Sequence, residues 1–144
     1  MIVVSDTTPL ISLLKVGHLD LLDKYFGEVQ IPQAVFDELT SNKRFALEAE
    51  EIRNCPYIRV VQIEDDKSVD IIRRVTGLDL GESEAIILTD NLHADLLLMD
   101  EAKGRSVAEQ MGLKIMGTIG LLLASYRNGY ISADEIKECV DILR

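Results

Sequence analysis

The stretch Asp95-Leu96-Leu97-Leu98-Met99-Asp100 decides how the rest of the chain is read. Four apolar residues in a row leave no alternation between an inward and an outward face. A strand of that kind is buried on both sides, as happens in parallel sheets sandwiched by helices. Working outward, Glu82 to Asn91 carries Ala85, Ile86, Ile87 and Leu88 and reads as a helix, while Glu101 to Met111 reads as another, stopped by Gly112. The same alternation runs through the whole chain. Met1-Ile2-Val3-Val4, Val29-Gln30-Ile31, Ile58 to Ile63 and Lys114-Ile115-Met116 read as strands. Between and after them come helices opened by Thr8-Pro9 and by Pro32, and helices over Leu19 to Phe26, Phe45 to Asn54, Ser68 to Val75 and Thr118 to Arg127. Ser132 and Glu135 form a capping box for a terminal helix. Strands separated by helices predict an α/β protein, a three-layer α/β/α arrangement around a central, mainly parallel sheet.

With 144 residues, the chain has the size of one domain, expected to span residues 1–144, and it contains no linker or repeat. No apolar run approaches the roughly 20 residues needed to cross a bilayer, and the apolar opening is too short for a signal peptide, so a cytoplasmic protein without membrane contact is expected. Cys55 and Cys139 stand far apart and outside any CxxC spacing, and are expected to remain thiols. The net charge of −10 speaks against a protein that coats DNA, since phosphate neutralisation needs the opposite sign.

Ligands of such sheets bind outside the carboxyl ends of the strands. Asp6 follows the first strand there, and Asp100 ends the stretch quoted above. Each can be read as a helix cap or as a ligand-binding carboxylate. Glu38, beside Leu39 and one turn from Ala34 and Val35, edges an apolar helical stripe. Glu84 lies one turn before Ile87 and Leu88. Either can be a salt-bridged edge residue, but a carboxylate in such a place needs a partner. Should all four meet, a bound cation is what would keep them ionised. Oxygen-only ligation points to Mg²⁺ or Mn²⁺. Zinc is disfavoured, because His18 and His93 are the only histidines and neither has a ligand-spaced cysteine.

Four segments, in order, resemble the motifs of PIN-domain ribonucleases: Val3-Val4-Ser5-Asp6-Thr7-Thr8, Ile31-Pro32-Gln33-Ala34-Val35-Phe36-Asp37-Glu38-Leu39, Leu80-Gly81-Glu82-Ser83-Glu84-Ala85-Ile86 and Leu97-Leu98-Met99-Asp100. The nearest branch resembles single-domain prokaryotic proteins related to the VapC toxins, with Lys103-Gly104-Arg105 and Gly117-Thr118-Ile119-Gly120 following. The resemblance implies a PIN-like fold, often a homodimer, and Mg²⁺- or Mn²⁺-dependent endoribonuclease activity. By position it implies Asp6, Glu38, Glu84 and Asp100 as the catalytic and metal-binding acids, with Thr7 as the hydroxyl residue that helps orient them. Glu82 competes with Glu84 for the third place, and Glu101 is a candidate for a further ligand. A toxin role implies a small antitoxin as partner.

The expected chemistry is metal-assisted hydrolysis of RNA phosphodiester bonds. Lys103 and Arg105, and with them Lys43-Arg44 and Arg73-Arg74, are candidates to guide the RNA backbone. A phosphotransferase using Asp6 as nucleophile is disfavoured, because Thr7, Thr8 and Pro9 occupy the places where a second acid would follow. A housekeeping RNA-processing nuclease and a non-catalytic PIN-like binding module stay open as alternatives.

Overall fold

At the centre of the sheet lies β1 (Val3–Ser5), with parallel neighbours on both sides. A computed structural model describes all residues from Met1 to Arg144. On one side of β1 run β2 (Val29–Pro32) and β3 (Ile58–Val61), and on the other β4 (Leu96–Leu98) and β5 (Ile115–Met116). All pairs are parallel, in the order β3-β2-β1-β4-β5. The chain builds outward from β1 to β3, then crosses back to lay β4 against the other edge of β1. That reversal opens a crevice above the carboxyl ends of β1 and β4, the usual ligand position of open α/β sheets.

Successive strand residues face opposite layers. Val3 and Leu98 join one apolar cluster, while Val4, Leu97 and Met99 join the other. The first layer is built by α1 (Thr7–Val16), α2 (Leu21–Phe26), α3 (Gln33–Ser41), α4 (Ala46–Arg53), α8 (Thr118–Arg127) and α9 (Ala133–Leu143), through side chains such as Leu10, Leu22, Leu39, Ile52, Leu121 and Cys139. The second is built by α5 (Asp66–Thr76), α6 (Leu80–Asn91) and α7 (Ala102–Gln110), through Ile72, Ile86, Leu88 and Ala108. The three-layer α/β/α architecture is thus present, with an all-parallel sheet. The central strands β1 and β4 are buried on both faces, which is why Leu96-Leu97-Leu98-Met99 carries no alternation.

Several element ends differ from the sequence expectation. Helix α1 begins at Thr7, with Asp6 and not Thr8 at its N-cap, so that Pro9 occupies the third helical position. Proline is tolerated anywhere in that first turn, where the N–H groups have no helical acceptor. Pro32 closes β2 and caps α3 instead of opening it. Helix α6 starts at Leu80, two residues early, because Asp79 and Glu82 form a reciprocal capping box. The expected box at Ser132 and Glu135 is present, and Thr118–Arg127 is helical throughout. Cys55 and Cys139 are free thiols. None of the helices is long and apolar enough to cross a membrane.

Candidate active site at the crevice between β1 and β4

Asp6 follows directly on β1, and its backbone N–H donates to the Leu98 carbonyl at 2.9 Å, which carries the β1–β4 pairing to the lip of the crevice. It holds the N-cap place of α1 with extended backbone, yet its side chain makes no capping hydrogen bond. The residue is only 4% exposed. Burial of the carboxyl is the main reason its pKa is pushed up to about 7, partly offset by the adjacent Thr7 N–H. Glu82, Asp79 and Glu38 push it further in the same direction.

Those three acids come from two helices. Glu82 is delivered by α6, which is buried on nearly every side from Gly81 to Thr89. One of its oxygens, Oε2, accepts from Asp79 N–H at 3.0 Å, and Asp79 Oδ1 in return accepts from Glu82 N–H at 2.8 Å. Burial raises the Glu82 pKa, and the nearby Asp79 and Glu101 add to it. Glu38 stands exposed on α3, on the rim of a cavity of about 300 Å³ that Ile11, Leu14, Leu39 and Phe45 also line. Thr7 is buried beside the first turn of α6: its Oγ1 lies 3.8 Å from where a Cβ on Gly81 would stand. That hydroxyl has no hydrogen-bond partner in the chain.

Glu84 has a different occupation. Its Oε1 accepts from the Ala34 N–H at 3.0 Å, capping the first turn of α3, which its own N-cap Pro32 does not serve by side chain. It does not figure among the acids that act on Asp6. Residues two apart on a helix point in nearly opposite directions, so Glu82 and Glu84 leave α6 on different faces. Asp100 lies across the crevice, at the end of the β4 segment, and both of its oxygens are engaged by Thr118: the N–H reaches Oδ1 at 2.7 Å and Oγ1 reaches Oδ2 at 2.6 Å. The residue caps a helix, but α8 and not α7, whose N-cap is Glu101. Arg105 Nη1 lies nearby, 3.1 Å from where a Cβ on Gly117 would stand. Lys103 Nζ leans over Gly77, at the turn before Asp79.

Among the four acids expected to meet, Glu38 is near enough for its charge to act on Asp6, whereas Glu84 is engaged by α3 and Asp100 by α8. Glu82 and Asp79 complete the acidic surroundings of Asp6. Asp79 escaped the sequence reading, although the spacing Asp79-Leu80-Gly81-Glu82 carries a capping-box signature that would have flagged it. No three of these carboxylates stand close enough together to ligate an ion as they are. Like charges without a cation between them repel, and each carboxylate turns to whatever donor is at hand. Their surroundings suit a divalent ion nonetheless. The donors are all oxygens, the buried Thr7 hydroxyl is unpartnered, and no Lys or Arg pairs with Asp6, Glu38, Asp79, Glu82 or Asp100, the ion pairs of the chain lying elsewhere. The histidines are remote from this chemistry: His18 lies 3.8 Å from Glu135, and His93 turns a loop at φ 49°.

In a parallel α/β sheet, acids gathered at the topological switch point stand where such folds bind their ligands. A PIN-domain family profile matches residues 2–144, and the chain belongs to that family. PIN domains are as a rule nucleases, generally dependent on divalent metals. No curated protein matches the chain significantly.

Proposed function

We propose that the chain is a Mg²⁺- or Mn²⁺-dependent endoribonuclease, of the VapC-like branch, that acts as the toxin of a toxin–antitoxin pair. The observation that carries the nuclease reading is the buried Asp6 carboxylate, uncapped and facing Glu82, Asp79 and Glu38 with no basic side chain to balance them. Such an arrangement is stable only when a proton or a cation occupies it. A divalent ion, when bound, supplies Lewis-acid activation of a water molecule and neutralises charge on the scissile phosphate.

The residues that would hold it are Asp6, Glu38, Asp100 and, in the third acidic place, Glu82 in preference to Glu84, whose carboxylate already caps α3. Glu82 has Oε2 fixed by the Asp79 N–H, and Glu101 stands within reach of the same carboxyl. Thr7 offers its unpartnered hydroxyl beside them. Burial pushes the Asp6 carboxyl up to about 7, and it would have to be ionised to hold the ion. Arg105, near Asp100, and the exposed Lys103 would steer the RNA backbone toward the crevice. Glu101, exposed at the start of α7 and close enough to act on Glu82, is a further candidate ligand.

The test is cleavage of single-stranded RNA with Mg²⁺ or Mn²⁺, with EDTA as control. Metal-dependent cutting that Asp6→Asn abolishes supports the reading, and equal cutting by the variant defeats it. The toxin role, a small antitoxin and a homodimer rest on the VapC-like resemblance. Growth arrest on expression, relieved by the product of an adjacent small gene, and a dimeric mass in solution are the expected outcomes.

A further inference from the structure

Thr118 is not one of the acids, yet it holds one of them by both oxygens. Its N–H and its hydroxyl donate to Oδ1 and Oδ2 of Asp100 at 2.7 and 2.6 Å. We infer that Thr118 is the positioning residue that fixes the Asp100 carboxylate for metal binding, and that Gly117 is glycine to let it come that close. This rests on the metal-nuclease reading given above.

The clamp is built from rigid parts. Thr118 is 4% exposed and opens α8, which is anchored by the fully buried Leu121 and Leu122. The approach is set by the sheet: β4 and β5 pair with Leu98 opposite Met116, and Met99 N–H donates to the Met116 carbonyl at 3.1 Å. Pairing that runs up to residue 99 delivers residues 117 and 118 to Asp100. A Cβ on Gly117 would stand 2.9 Å from Asp100 Oδ1, closer than side chains tolerate without a shift, and 3.1 Å from Arg105 Nη1, the end of a flexible side chain that can give way. The backbone there, at φ −87° and ψ 173°, is open to any residue, so space and not conformation demands glycine.

Two donors on one residue define the plane of the carboxylate as well as its position. Asp100 itself stays partly exposed. A pure helix cap would need only the backbone donor. The second bond, from the hydroxyl, is what restrains rotation of the carboxylate, and partners of this kind are typically worth about 10–100-fold in metal affinity.

The experiment is a titration of the metal-free protein with Mn²⁺ alone, followed by calorimetry, alongside RNA cleavage and thermal unfolding. Thr118→Val keeps the shape and the backbone N–H and removes the hydroxyl. It is expected to weaken Mn²⁺ binding by about 10-fold or more and to raise the Mn²⁺ concentration needed for half-maximal cleavage. Thr118→Ser is expected to restore both. Gly117→Ala, which crowds Asp100 without removing a donor, is expected to weaken Mn²⁺ binding as Thr118→Val does. Should Thr118→Val not fold, Gly117→Ala and Thr118→Ser carry the test. Wild-type protein that binds Mn²⁺ with variants that bind it equally well overturns the role of Thr118 alone. Wild-type protein that neither binds Mn²⁺ nor cuts RNA overturns the nuclease reading, and this role with it.

Discussion

Asp6 and Asp100 end neighbouring segments of one sheet and flank one crevice, yet their electrical circumstances are opposite. Asp6 is buried, makes no capping bond and is surrounded by Glu82, Asp79 and Glu38. Asp100 is partly exposed and satisfied at both oxygens by Thr118. The first carboxylate stores an unmet demand for positive charge; the second is held in place whether or not a cation is present. A site that must bind an ion and also orient it can divide the two tasks in this way, with one acid supplying the affinity and the other the geometry.

The largest expected effect tests whether the two acids belong to one reaction. Asp6→Asn and Asp100→Asn should each lower the single-turnover cleavage rate by about 100-fold or more, the scale of losing a metal-ligating charge. A variant that cuts like wild type would remove its residue from the site. Next comes metal linkage. Mn²⁺ at about a hundredfold excess over its Kd should stabilise the fold by about 2.7 kcal/mol, read as a rise in Tm, and Asp6→Asn should abolish most of that rise.

A smaller effect separates the two acids by sign. Unfolded, the Asp6 carboxyl ionises near its ordinary value of 3.8; folded, it holds its proton to about pH 7. Below about pH 4 both states carry the proton and stability is unaffected. Between these values only the native state is protonated, so metal-free stability falls as pH rises, and above pH 7 the full cost of the buried charge is present. Asp6→Asn lacks that cost. Without metal it should be more stable than wild type at pH 8, by about 1–3 kcal/mol, with the advantage vanishing near pH 4. Asp100→Ala should go the other way, losing about 1–3 kcal/mol by leaving the Thr118 donors unpaired. Denaturant melts at pH 4 and pH 8 measure both. The smallest effect divides the two glutamates of α6: Glu84→Gln should cost about 0.5–1 kcal/mol of stability through its weakened cap, and less activity than Glu82→Gln.

Much of this was legible in the residues because it is local or periodic. The unbroken apolar run of β4 announces a sheet covered on both faces, and Ser132 with Glu135 announces the start of α9 within one turn of chain. What was not legible depends on partners distant in sequence. Asp100 could be read as a cap only for the helix that follows it, whereas the helix it caps begins 18 residues on. Glu82 and Glu84 look alike in sequence, and the choice between them is made by α3, 50 residues before Glu84, where Ala34 offers its N–H. Helix α1 starts two residues before the Pro9 that its sequence suggests, because proline suits the third helical position as well as the first.

The strand order has a consequence for the birth of the protein. As the chain emerges during synthesis, β1 leads, but its second partner, β4, lies more than 90 residues behind, and Thr118 follows later still. Contacts of such long range close slowly, and none can close before both ends exist. The nascent protein therefore carries a half-made sheet, with Asp6 solvated and at its ordinary acidity, until β4 has been made. A crevice built this way cannot form until β4 and Thr118 have both been made.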